Sequence, residues 1–262
     1  MAAELEIGLL GPVRVVVDGR PRGVGAQRRK TALAALAMAP GRTVNAEALA
    51  EHLWGERPPD LFRRAVSTTM TRLRADLGVD VIAGAPGGYT LTVPAHSVDV
   101  YRFRALVREA RSAAGATELD LLDRALACWR GEPLQDVESD RLRAQHVPGL
   151  TEEWFAAAER RIDLLLSAGA HADLVPQLRD LTAQHPLREP LWYRLIVALY
   201  RAGRQAEALE AYQSVREVLV DRLGVDPGRE LRAAHRAMLI GDPLLAGRPA
   251  LAGRPALAGA HL

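Results

Sequence analysis

The sequence is poor in chemistry. Its 262 residues include a single cysteine, Cys128. No intramolecular disulfide framework can form, and a lone free thiol fits a reducing compartment such as the cytoplasm. Cys128, beside Trp129 in an expected helix interior, reads as a small buried hydrophobe. No stretch reaches the roughly 18 uninterrupted apolar residues of a membrane span, and Glu4, Glu6 and Arg14 break any N-terminal apolar run. The seven histidines form no His-Glu-x-x-His pair and have no cysteine partners, so no metal site is expected. A Gly-x-Ser-x-Gly elbow is also missing. The stretch Gly23-Val-Gly25-Ala-Gln-Arg-Arg-Lys30-Thr31 invites a phosphate-loop reading, but Arg29 stands where the glycine before the lysine belongs, and the third glycine of a dinucleotide fingerprint is absent. We therefore expect no enzyme, no cofactor and no metal.

Acidic residues are scarce in two places. The formal charge is only +2, yet up to Ala95 there are 12 Lys+Arg against 9 Asp+Glu, while the remainder carries 22 against 23. Arg20, Arg22, Arg28, Arg29 and Lys30 have no acid among them, and Arg57, Arg63, Arg64, Arg72 and Arg74 are opposed only by Asp60. Such clusters suit phosphate contact, although a solvated charged face would read the same way.

Order along the chain adds to this. Short apolar runs, Leu5 to Leu10 and Val13 to Val17, are divided by Gly11-Pro12 and followed by Asp18-Gly19, a hairpin cue. From Arg28 the period becomes helical and stops at Pro40-Gly41. Asn45 caps a second expected helix, ended by Gly55 and Pro58-Pro59. Asp60 caps a third, closed by Gly78. In that third helix Phe62, Val66, Met70, Leu73 and Leu77 make one apolar stripe. The opposite side presents Arg64, Thr68, Thr71 and Arg72, flanked by Arg63, Ser67 and Arg74. Guanidiniums fork onto guanine or phosphate, and small hydroxyl residues let the backbone approach, so this face suits a DNA groove. Val81 to Ala83 and Tyr89 to Val93 then form a hairpin around a flexible Gly84 to Gly88 tip, completing a winged helix-turn-helix.

Beyond Ala95 the chain reads as helical throughout, with expected helices near 100–113, 117–130, 149–166, 172–184, 189–201, 205–223 and 228–239. Ala168-Gly169 and Ala202-Gly203 lie 34 residues apart, and at that offset Leu174 meets Ala208, Leu178 meets Tyr212 and Leu181 meets Val215. Thirty-four is the tetratricopeptide period, and stacked helix pairs make a concave protein-binding surface. Trp192 and Tyr212 read as core. The threefold repeat of Leu-Ala-Gly from Leu245 cannot bury a core and is expected to be disordered. The fold class is thus mainly α: an α+β winged helix at 1–95, an all-α tetratricopeptide-like domain at 96–243, and a tail at 244–262.

The chain resembles the Streptomyces antibiotic regulatory proteins, activators with an OmpR-like winged helix followed by a bacterial transcriptional activation domain. The resemblance rests on Leu10-Gly11-Pro12, Gln27-Arg28, Leu53-Trp54-Gly55-Glu56 with Pro58-Pro59, Thr71-Arg72-Leu73-Arg74 and Gly87-Gly88-Tyr89. In the second part it rests on Trp129-Arg130-Gly131-Glu132-Pro133-Leu134, His185-Pro186-Leu187-Arg188-Glu189, Gly203-Arg204-Gln205-Ala206-Glu207-Ala208-Leu209 and Leu223-Gly224-Val225-Asp226-Pro227. It implies a homodimer on direct repeats of double-stranded DNA near a promoter's −35 element, recruiting RNA polymerase to secondary-metabolite genes. It adds Arg28, Gly87 and Tyr89 to the DNA-contacting residues and assigns polymerase or sigma-factor contact to Gly55, Glu56, Arg57, Pro58 and Pro59. With no receiver domain before the winged helix, the chain looks like a small stand-alone member or a truncation of a larger one. Relatives often carry an Arg at the wing tip, where Ala85 stands here. The competing reading is a tetratricopeptide-type adaptor whose winged helix does not bind DNA.

Overall fold

A computed structural model describes residues 5–78, 80–242 and 245; most of the expected disordered tail lies outside them. The chain divides into two compact units, Met1–Ala157 and Ala158–Leu262, with the division falling inside one long helix. Among the described residues no helix is long and apolar enough to cross a membrane.

The first unit opens with an antiparallel sheet of β1 (Leu5–Gly8), β2 (Arg14–Val17) and β3 (Arg20–Arg22). Val17 pairs with Arg20, so Asp18-Gly19 is a two-residue turn, and both residues take positive φ, 48° and 75°. That is the mirror-type turn whose twist matches a hairpin. Then come α1 (Gln27–Ala37), β4 (Thr43–Asn45), α2 (Ala46–Trp54) and α3 (Phe62–Leu77), followed by the wing strands β5 (Ile82–Ala85) and β6 (Gly88–Leu91). The short β4, which the sequence did not suggest, joins the wing in a second sheet ordered β4-β6-β5. Gly88 is required at that seam, because a Cβ there would overlap the Val44 carbonyl.

Most of the α3 stripe behaves as its spacing predicts: Val66, Met70, Leu73 and Leu77 are fully buried, while Phe62 is half-buried. The expected Asp60 cap does not form. The Leu61 carbonyl, one residue on, accepts the first helical N–H groups, from Arg64 and Ala65, so Asp60 lies outside capping range. Asn45 does cap α2, its side chain accepting from the Ala48 N–H at 2.6 Å. The wing tip is tighter than expected. β5 runs through Ala85, and the turn is Pro86-Gly87 rather than a five-residue flexible loop.

The same unit continues through a 3-10 turn (Ala95–Ser97), α4 (Asp99–Ala110), α5 (Gly115–Leu126) and the start of α6 (Asp140–Ser167). Asp99, almost wholly buried, accepts the N–H groups of Leu9 and Leu10 at 2.8 and 3.0 Å and pairs with Arg130 at 3.3 Å. Burial pushes its carboxyl above the ordinary value despite these partners. Cys128 lies beyond α5, not inside it. Its N–H and that of Trp129 bond three residues back, and the Arg130 N–H is drawn off to the Leu10 carbonyl, so the helix cannot continue. Helix α6 starts at Asp140, nine residues before the expected Gly149, and carries Pro148 in its interior. A missing proline N–H removes one rung and need not end a long packed helix.

In the second unit α7 (His171–Gln184), α8 (Glu189–Arg201), α9 (Gln205–Leu223) and α10 (Arg229–Ile240) follow the end of α6. The 34-residue period is repeated in hydrogen bonds. Ala170 donates to Leu165 and Gly169 to Leu166; one period on, Arg204 donates to Leu199 and Gly203 to Tyr200. Leu174, Leu178 and Leu181 and their counterparts Ala208, Tyr212 and Val215 are all buried. Tyr212 stacks on His235 with centroids 4.0 Å apart. Trp192 is not core: it is half-buried, donates to the Pro186 carbonyl, and lines a surface cavity of about 300 Å³ with side chains of α7 and α9.

Candidate nucleic-acid interface

Helix α3 is anchored by its buried stripe, which turns Arg64, Ser67, Thr68, Thr71 and Arg72 into solvent on the opposite side. Among the described residues no hydrogen bond or ion pair engages the guanidinium of Arg64 or of Arg72. The hydroxyls are less free. Thr68 donates to the Arg64 carbonyl at 3.0 Å and Thr71 to that of Ser67 at 3.1 Å. With the proton directed into the helix, each oxygen is presented outward as an acceptor. An outward acceptor suits the exocyclic amino groups of adenine or cytosine better than a phosphate.

Other basic residues have partners far away in sequence. Arg63 is 74% exposed and pairs with Glu47 of α2 at 2.5 Å. The Glu47 carboxyl is held below its ordinary value first by a hydrogen bond from its own backbone and then by Arg63. Arg29 Nε lies 2.8 Å from Asp76, and Lys30 Nζ lies 2.7 Å from Asp136. Arg74 does not join the open face. It donates through two nitrogens to the Ile82 carbonyl at 2.9 and 2.7 Å and lies over the Tyr89 ring at 5.9 Å. Arg74 and Tyr89 together brace the wing against α3, a role their spacing did not disclose.

Arg28, at the start of α1, lies over the Trp54 ring at 5.5 Å. An open cavity of about 660 Å³ beside this pair is lined also by Thr68, Arg72, Arg29 and Glu138, so the structure brings Arg28 up to the α3 face. Gly87 forms the wing turn with φ 77°. No cation stands at the tip, and Ala85 belongs to a strand. The loop after α2 leaves Gly55 as its left-handed-region cap and holds Glu56, Arg57, Pro58 and Pro59 exposed. Sequence reasoning missed Leu61, which follows this loop with 70% of its surface in water. An apolar residue two positions after Pro58-Pro59, beyond Asp60, was the available signal.

Residues 26–93 match the domain family described as "Transcriptional regulatory protein, C terminal", and residues 98–239 match "Bacterial transcriptional activator domain". The chain is 42% identical over 246 residues to "Regulatory protein AfsR" of Streptomyces coelicolor, covering 92% of this chain and 25% of that protein. To "Regulatory protein DnrI" of Streptomyces peucetius it is 34% identical over 254 residues, covering 91% of this chain and 93% of the relative. The solved structure "Mycobacterium tuberculosis EmbR in complex with low affinity phosphopeptide" superposes with a TM-score of 0.86 at 34% identity, over 92% of this chain and 66% of that one. The chain thus spans a quarter of AfsR and 64% of the EmbR sequence.

A winged helix followed by an activator-domain helical array defines a transcriptional regulator of the OmpR-like class. The chain belongs to the Streptomyces antibiotic regulatory protein family of transcriptional activators. The relatives it matches are named as regulators, not enzymes.

Proposed function

We propose that the chain is a cytoplasmic, sequence-specific DNA-binding activator. As a homodimer it binds direct repeats about one helical turn apart near a −35 element. Residues up to about Ala95 read DNA, and the following helices contact RNA polymerase or sigma factor to switch on secondary-metabolite genes. The carrying observation is the acid-free outer face of α3, with Arg64 and Arg72 exposed and unengaged among the described residues. Ser67, Thr68 and Thr71 complete the reading surface, Arg63 and Arg28 flank it, and Gly87 sets the wing turn. The exposed Gly55 to Pro59 loop, continued by Leu61, supports polymerase contact there, since it offers an apolar anchor beside a charged Arg57.

The test is fluorescence anisotropy on the promoter fragments adjacent to the gene, across a salt series. Binding should weaken steeply with salt, and Arg64→Ala or Arg72→Ala should cost about 1 to 3 kcal/mol where a base is contacted, or flatten the salt slope where a phosphate is. Unchanged binding in both variants would refute the residue assignment. The Trp192-lined cavity in the second unit favours a second reading, a protein-binding adaptor. Absence of binding to any duplex at low salt would select it.

A further inference from the structure

A separate cavity of about 410 Å³ opens in the first unit, where the end of α1, strand β4, α2 and the first turns of α6 meet. It shares no lining residue with the α3 face, the wing or the Gly55 to Pro59 loop. Its polar wall carries two arginines and two histidines: Arg42 precedes β4, His52 comes from α2, and Arg141 and His146 come from α6, with Gln145 beside them. Glu51 supplies the acid of the lining, but its carboxylate already lies 2.9 Å from Arg141. Among the described residues no hydrogen bond or ion pair engages the Arg42 guanidinium.

Burial dominates the electrostatics of the two histidines, with neighbouring cations adding to it. Burial, then Arg141, holds His52 below its ordinary value, against an opposing effect of Glu51. His146 is held down by burial, then by His52 and by Arg104, whose own charge is matched by Glu153 at 2.8 Å. His52 Nδ1 is buried with no hydrogen-bond partner among the described residues. An unmatched guanidinium, two rings that can each donate a ring N–H, and an unsatisfied buried nitrogen are complementary to a negative ligand. The helix ends agree. First-turn residues of α2 and α6 form two of the walls, and helix N-termini carry partial positive charge. At the opposing end of α1 the Met38 carbonyl is occupied by the Tyr101 hydroxyl at 2.6 Å.

We propose that this cavity binds a small anionic metabolite, a carboxylate or a phosphate ester, held by Arg42, Arg141, His52 and His146. Its volume lies within the roughly 300 to 1,000 Å³ of small-ligand pockets. A ligand there bridges α2 to α6, and α2 leads through Gly55 into the exposed loop.

The test follows the histidine ring signals of the full chain by NMR, assigned with His52→Gln and His146→Gln. Inorganic phosphate and succinate are titrated separately at constant ionic strength. The His52 and His146 signals should move saturably with at least one probe, and phosphate alone or succinate alone identifies the ligand class. Arg42→Gln, whose side chain is exposed and whose melting temperature should match wild type, should weaken that binding about tenfold or more. Arg72→Ala, on the α3 face, should leave it unchanged. The proposal is overturned if neither probe moves both signals saturably, or if Arg42→Gln binds as well as wild type.

Discussion

Two arginines separated by one turn's fraction on the same helix, Arg72 and Arg74, should fail in opposite ways. The Arg74 guanidinium donates twice to the carbonyl of buried Ile82 and lies over Tyr89. Arg74→Ala leaves that carbonyl without its charged donors. Such hydrogen bonds contribute about 1.5 to 3 kcal/mol and an exposed cation–ring contact about 0.5 to 1. Arg74 is half-exposed, so screening reduces both and a net loss of about 2 kcal/mol is expected. At about 2 to 4 °C per kcal/mol for a unit of this size, the melting temperature should fall by about 4 to 8 °C. Arg72 has no such partner among the described residues, and Arg72→Ala should change stability by less than about 0.5 kcal/mol. On the proposed DNA-reading role of α3, its cost should fall on DNA binding, about 5- to 150-fold. Differential scanning fluorimetry and anisotropy on the same two variants separate the cases. The reasoning is refuted if Arg74→Ala melts with wild type, or if Arg72→Ala melts as early as Arg74→Ala does.

Further outcomes follow from the packing. Gly88→Ala should separate β4 from the wing, because its Cβ meets the backbone of Val44 and Asn45; rapid amide exchange at Thr43 to Asn45 and Gly88 to Leu91 would report it. Asp99→Ala removes the acceptor for Leu9, Leu10 and Arg130 and should cost about 3 to 5 kcal/mol in urea denaturation; a loss under about 1 kcal/mol would contradict the buried-anchor role. His52, His146, His171 and His185 are all held below their ordinary value of 6.5, chiefly by burial. The unfolded chain therefore takes up protons first, so their contribution is full above about pH 6.5 and is lost as pH falls below it. Melting temperature should drop between about pH 7 and 5.5, and less steeply in a His52→Gln, His146→Gln double variant.

Local chemistry made much of this protein legible from sequence. The stripe from Val66 to Leu77 follows from helical spacing, and the Asn45 cap and Asp18-Gly19 turn follow from short-range hydrogen bonding and backbone sterics. The 34-residue period names its own packing, since each helix pair buries its apolar face on the next. Boundaries were less secure where distant groups compete for the backbone: α5 stops before Cys128 because Leu10 takes the Arg130 N–H, and α6 continues through Pro148 with Leu142 and Leu150 buried on either side of it.

The sequence by itself determined which face of α3 is buried and which is polar, because helical geometry and the hydrophobic effect act over a few residues. Only the tertiary structure decided which basic side chains on or near that face stay free. Glu47, Asp76, Asp136 and the Ile82 carbonyl come to Arg63, Arg29, Lys30 and Arg74 across sequence separations no local pattern reveals. Coulombic and hydrogen-bond energies depend on distance in space, so the arginines of α3 become, once folded, the open guanidiniums of Arg64 and Arg72 among the described residues and the paired ones of Arg63 and Arg74.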